Sequence, residues 1–193
     1  GSAMLAEVPV TVSLVEVPVL ALIGASADTS AVAASLVVQA ACLHSPEDLV
    51  VAAAVGPERG ADSWLRWLPH ARAASSPLGG PQVATGSAAA TTLLRELLTV
   101  AEQRAATTDA AIDRRWPWVL AVIDRDLGPD PALVSRLADL APHVGIALLW
   151  LTPTPDRVPR QVVATVTCHS VLQATPSGLA HTDPAIDDQD LVV

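Results

Sequence analysis

This 193-residue sequence predicts an α/β domain with a mostly parallel central sheet flanked by helices, and three observations carry that prediction. Its apolar runs are short and continuous, among them Val19 to Ile23, Leu49 to Val55 and Gly145 to Leu151, as in strands buried on both faces. Between these runs, apolar residues recur at helical spacing. Hydrophobic residues make up 51% of the chain and charged residues 16%, with a mean hydropathy of +0.42, so most of the length can fill a core rather than stay disordered. Strands and helices that alternate along a chain fold as layers.

The elements follow in order. Val8 to Leu14 alternates loosely, as a strand would, and Pro18 separates it from the buried strand Val19 to Ile23. Gly24 to Ser30 supplies a turn and a capping residue for a helix whose stripe is Val32, Leu36, Ala40 and Leu43. That helix ends by Ser45-Pro46, because proline disfavours helical geometry in the residue before it, and Leu49 to Val55 completes a β-α-β unit. From Gly56 to Gly86 the composition turns to Gly, Pro, Ser and Ala, which predicts one short helical turn at Asp62 to His70 and then a long irregular connection. Leu93, Leu94, Leu97, Leu98 and Ala101 stripe a helix of roughly four turns, with Arg95, Glu96, Glu102 and Arg104 outward. A polar stretch to Arg115 precedes a strand from Trp116 to Ile123 that ends at Asp124. Pro129 to Leu140 reads as a helix with Leu133, Leu137 and Leu140 inward, Gly145 to Leu151 as a fourth buried strand, and Val162 to Thr167 as a fifth. The proline-rich link Pro153 to Pro159 joins the last two, and a weak strand or tail follows Gly178.

Residues 1–4 read as a tag remnant, 5–180 as one domain, and 181–193 as an acidic linker or tail carrying Asp183, Asp187, Asp188 and Asp190. No secretory signal region precedes the first strand pattern, as expected of an excised piece of a longer protein. The formal charge is −9, every one of the eleven basic residues is Arg, and the isoelectric point is near 4.8, so nucleic acid is not an expected partner. The apolar runs fall short of the roughly 20 residues that span a bilayer, so no membrane insertion is expected. Cys42 and Cys168 sit in apolar runs without metal-ligand spacing. They read as free, buried thiols in a reducing compartment, with a disulfide between them as the alternative.

In open α/β sheets the ligand crevice lies at the carboxyl ends of the strands, which gathers Gly24 to Ser30, Asp124 to Asp126 and Thr152 to Thr154 on one edge. A phosphate-binding loop needs several glycines and a Lys-Ser or Lys-Thr pair, whereas this loop has one glycine and no lysine. Thr29 or Ser30 then reads first as a helix cap, and only second as an anion site. Asp124 stands where nucleotide hydrolases place a magnesium-organising aspartate, but Arg125 follows it and supplies no general base, with Asp126 at best a partial substitute. No catalytic residue is therefore expected, and ATP with magnesium enters only under an alternative that uses Gly24, Thr29, Ser30, Asp124 and Asp126, completed by a cation from a partner. His44, His70, His143, His169 and His181 are scattered singly and predict no metal site. Cys168 and His169 would point to opposite faces of a strand and form no nucleophile pair, and no Gly-x-Ser-x-Gly elbow occurs. All five aromatic residues are Trp. Trp64 and Trp67, three apart and hence on one helical face, either anchor their loop to the core or, with Arg66 and His70, form a contact surface.

Two segments carry a resemblance: His44-Ser-Pro-Glu-Asp-Leu49 after the first helix, and Trp64-Leu-Arg-Trp-Leu-Pro-His70. Together with the degenerate loop and the strands that end at Asp124 and Thr152, they resemble the EccC family of FtsK/SpoIIIE-type ATPases of type VII secretion. The likeness is to the module between that family's membrane helices and its first ATPase domain. It covers roughly Leu5 to Leu179, although Asp62 stands where the family has a first Trp and Arg66 where it has Lys. The resemblance implies a RecA-like, P-loop-NTPase-like fold with degenerate nucleotide motifs, on the cytoplasmic side of a membrane-anchored protein. It also implies partners among the other domains of the same ATPase and the membrane subunits of the secretion complex.

Overall fold

The computed structural model describes residues 12–57, 64–107, 116–170 and 173–177, of which 170 and 173–176 are described by their backbone alone. Seven strands form one sheet: β1 (Val19–Ile23), β2 (Leu49–Val55), β3 (Val83–Thr85), β4 (Trp118–Asp124), β5 (Ile146–Thr152), β6 (Ala164–Ser170) and β7 (Gln173–Ser177). Their spatial order is β3-β2-β4-β5-β1-β6-β7, all parallel except β7, which runs antiparallel to β6. Helices α1 (Ser26–Leu43), α2 (Ser87–Ala106) and α3 (Pro131–Leu140) connect them. The predicted α/β class, with its mostly parallel sheet, is the one observed.

Every residue of β1, β2 and β5 is buried, as continuous apolar runs require. Alternate residues serve two cores. The clearest case is β4, where Val119, Ala121 and Ile123 face the core under α2 and α3, while Leu120 and Val122 face the core under α1. Leu94, Leu97 and Leu137 are the large fully buried side chains of the helical layer on the first face. Burial of each is worth about 1.5–3 kcal/mol relative to exposure.

Several local expectations shift. Among the described residues, 12–18 form a turn in place of a strand, with the Ser13 carbonyl accepting from the Glu16 and Val17 amides at 3.1 and 2.8 Å; residues 8–11 lie outside the described part. The same is true of 1–4, 178–180 and 181–193, and of most of the polar stretch before Trp116. β3 lies within the Gly- and Pro-rich connection, and α2 runs 20 residues, more than the predicted four turns. In α1 the buried stripe is Thr29, Ala33 and Val37, one position on from the predicted one, with Val32, Leu36 and Ala40 half-buried and Leu43 exposed. Cys42 is exposed rather than buried, because it falls on the outer side of this last turn, whereas Cys168 is buried; both are free thiols. By length and composition α1 is apolar enough to cross a membrane, despite the brevity of the continuous apolar runs, yet here it is the crossover between two strands of one sheet.

Arg104 departs most from expectation. Predicted outward, it is 5% exposed and its guanidinium closes the amino edge of the sheet. Nη1 donates to the Val144 carbonyl at 2.9 Å and the Gly145 carbonyl at 3.4 Å, and Nη2 donates to the Pro117 carbonyl at 3.0 Å. The Trp116 ring lies against it, 5.3 Å from guanidinium carbon to ring centroid. Burial lowers its pKa from 12.5 to about 10, which leaves it charged at neutral pH.

At the opposite edge, Gly24 follows β1 with φ of 150°, and a Cβ built there would run into the Cys168 carbonyl of β6. Only glycine lets the two strands approach in this way.

These contacts set two expected outcomes. Arg104→Ala takes the side-chain donor from the Val144 and Pro117 carbonyls, while the Gly145 carbonyl keeps the Val119 amide, so urea unfolding is expected to show a loss of about 3 kcal/mol, and Arg104→Lys, which lacks the fork, recovers only part of it. Gly24→Ala must push β6 from β1, and a drop of at least about 2 kcal/mol in unfolding free energy is expected by the same measurement.

Candidate functional site

The carboxyl edge of the sheet assembles as expected. Ile23 pairs with Thr152 and Asp124 with Leu151, so the ends of β1, β5 and β4 lie side by side. Along this edge β5 stands between the strand that leads into Gly24 and the strand that ends at Asp124.

The junction between β1 and α1 is only Gly24 and Ala25. A phosphate cradle of the Gly-x-x-x-x-Gly-Lys-Ser/Thr kind needs about eight residues, whose amides must be free to turn toward the ligand. Here the Gly24 amide already donates to the Thr152 carbonyl at 3.1 Å, which continues the strand ladder. Thr29 is fully buried, and its hydroxyl donates to the carbonyls of Ala25 and Ser26 at 3.1 and 3.2 Å. Ser30 is half-buried in the first turns of α1 and also has a partner. Ala25 caps the helix without any side-chain bond, so neither Thr29 nor Ser30 is the cap expected from sequence.

Asp124 is 2% exposed and holds the backbone on both sides of it. Oδ2 accepts from the Gly56 amide at 3.1 Å and Oδ1 from the Asp126 amide at 3.0 Å, which ties the end of β2 to the 3₁₀ turn Arg125–Leu127. A Cβ at position 56 would lie 3.0 Å from Oδ2, so Gly56 lets the carboxylate in. Both oxygens therefore bond backbone amides, and Asp126 reaches sideways to Arg157 at 4.0 Å. Among the described residues, no group of His, Cys, Asp and Glu has the arrangement of a metal site. Cys168 is buried and His169 exposed on successive positions of β6, as the strand geometry requires.

The two proline-histidine segments come together, although they are distant in the sequence. The His70 ring is 6% exposed, and its Nε2 lies 2.8 Å from the His44 carbonyl, to which it donates. Nδ1 is buried with no hydrogen-bond partner among the described residues. The Ser75 hydroxyl donates to the Pro46 carbonyl at 2.7 Å. Gln82, which sequence reasoning did not single out, is buried beside them; with its amide oriented to suit its surroundings, Nε2 lies 3.0 Å from the His70 carbonyl and 3.1 Å from that of Val51. His70 is thus part of an internal joint rather than an accessible surface.

Trp64 and Trp67 separate. Trp64 is half-buried against the core under α1, and Leu65 beside it is fully buried. Trp67 is 78% exposed, with the Arg72 guanidinium 5.4 Å from its ring centroid. The helical turn closes through the Trp67 amide onto the Trp64 carbonyl and then unwinds, so spacing alone does not put both rings on one face. Arg66 is exposed next to them and has a partner of its own.

No family model matches the chain, and no curated protein matches it. Solved structures do. EssC (ATPases 2 and 3) from Geobacillus thermodenitrificans superposes over 78% of this chain and 31% of its own, with a TM-score of 0.58 and 14% identity. Thermomonospora curvata EccC (ATPases 2 and 3), solved in complex with a signal sequence peptide, covers 81% of this chain and 32% of its own, with a TM-score of 0.59 and 18% identity. The cytoplasmic domain of the Thermomonospora curvata type VII secretion ATPase EccC gives 78% and 20%, with a TM-score of 0.57 and 18% identity. This chain thus spans a third or less of the length of each. At these identities the likeness is one of fold: a RecA-like, P-loop-like α/β domain shared with ATPase domains of type VII secretion proteins.

Proposed function

We propose that this chain is a noncatalytic, ATPase-like domain of a type VII secretion ATPase, which couples the membrane complex to the downstream motor domains during protein export. The observation that carries the noncatalytic reading is the β1–α1 junction, where two residues stand in place of a phosphate loop and the Gly24 amide is already bonded. The hold of Asp124 on the Gly56 and Asp126 amides supports the same reading, because a carboxylate engaged in this way organises backbone. A place on the cytoplasmic side, ahead of the first ATPase domain and next to membrane subunits, rests on the His44–Leu49 and Trp64–His70 segments. Of their residues, exposed Trp67 and its neighbour Arg66 form the surface offered to another domain, since Trp64 and His70 are turned inward.

Thermal unfolding with and without Mg-ATP or Mg-ADP tests the noncatalytic reading. No change in midpoint is expected. Nucleotide present at about 100 times its Kd would add about 2.7 kcal/mol, or roughly 5 to 11 °C for a chain of this size, and such a rise abolished by Asp124→Ala would overturn the reading.

The coupling surface has a separate test. Trp67→Ala is expected to change unfolding free energy by less than about 0.5 kcal/mol while impairing secretion by the assembled machine, whereas His70→Ala should cost about 1–2 kcal/mol of stability. Intact secretion and complex assembly with Trp67→Ala would remove that residue from the interface.

A further inference from the structure

A groove of about 320 Å³ opens on the carboxyl side of β5, between the start of α3 and the strap that leads to β6. Trp150 and Val134, both buried, are among its lining residues, with Pro131 and Pro159 beside them. Two bonds pin the strap: the Trp150 Nε1 donates to the Arg157 carbonyl at 3.1 Å, and Gln161 Nε2 donates to the Ser135 hydroxyl at 2.6 Å. The groove is therefore built by the fold rather than formed by a loose loop.

Three arginines line it, Arg125, Arg157 and Arg160. Among the described residues Arg125 and Arg160 have no carboxylate within ion-pair distance, and Arg157 has only Asp126, at 4.0 Å with both side chains half exposed. Asp156 lines the groove as well, which leaves its charge positive. In a chain of net charge −9, three of eleven arginines meet beside apolar proline and tryptophan surface. Guanidinium forks over an apolar floor suit an extended segment that alternates carboxylates with apolar side chains.

We propose that the occupant is the chain's own acidic segment, residues 181–193. That segment carries Asp183, Asp187, Asp188 and Asp190 with no Arg or Lys, and Pro184, Ile186 and Leu191 among them. The chain also brings it within reach, from β7, which ends toward the amino edge of the sheet. Ser177 pairs with Thr165, four residues beyond Gln161 of the groove, so covalent geometry and strand pairing put Ser177 within about 20 Å of that residue. The six residues from Ser177 to Asp183 reach about 20 Å when extended, and the remaining acids lie further along. Tethering makes the encounter intramolecular, so weak individual contacts suffice.

Amide hydrogen exchange on the whole chain tests this. In the variant D183N/D187N/D188N/D190N, the amides of Arg157, Val158, Arg160 and Gln161 are expected to exchange at least about fivefold faster than in the native chain, and high salt should produce the same acceleration. Arg125→Gln/Arg157→Gln/Arg160→Gln should remove the salt and tail dependence. If that triple variant fails to fold, the tail variant, whose folding is checked by its unfolding midpoint, decides alone. Equal exchange in native and tail-neutralised chains overturns the proposal, and so does protection that develops only at high protein concentration, which would mark a second copy as the source of the segment.

Discussion

Two-sided burial of the parallel strands is the constraint on which the rest of this structure depends. A strand such as β2, whose seven residues are all buried, has no solvent face, so the chain must place helices on both sides and return each time to the same edge. That requirement sets the connections. α1 covers one face, α2 and α3 the other, and the ends of β1, β4 and β5 fall together on one edge as a result. The chemistry available there is then decided by what those ends do with their polar atoms.

They commit them to the fold. The Gly24 amide, the Thr29 hydroxyl and both oxygens of Asp124 are each engaged with backbone, and the Thr152 hydroxyl donates to the Thr154 carbonyl at 3.0 Å. A nucleotide site on a sheet of this kind needs the opposite, namely amides and carboxylates held ready but unbonded. To hold a phosphate cradle of the glycine-rich kind, the β1–α1 junction would have to lengthen and to leave β6, against which Gly24 is packed.

The strands are legible in the sequence because a run such as Leu-Val-Val-Ala-Ala-Ala-Val has no reading but burial on both faces, and their bounds come within a few residues. The missing lysine and the Arg125 after Asp124 are legible too, and the folded chain places these positions at the ends of β1 and β4. What escapes has physical causes. α1 is rich in alanine and small residues, so its apolar stripe is blurred and its phase reads one position off, which also misplaces Cys42. Arg104 looks like a surface residue because long cations usually are. Its burial depends on three carbonyls from segments 13 to 41 residues away, which no local pattern announces. β3 is three residues long within a Gly- and Pro-rich stretch, and the arginine groove joins positions 125, 157 and 160, which only the folded chain brings together.

The margins of the sheet bear on how such a domain can sit in a larger machine. One margin is β3, with three residues, and the other is β7, which is reversed in direction and contains Pro176, a residue with no amide hydrogen to offer. Neither provides a long row of free donors and acceptors on which a further strand could be templated. Growth of the sheet into a neighbour is disfavoured at both ends, so contacts with other domains fall to side chains on the helices and loops. Such joints can be remade without tearing backbone ladders.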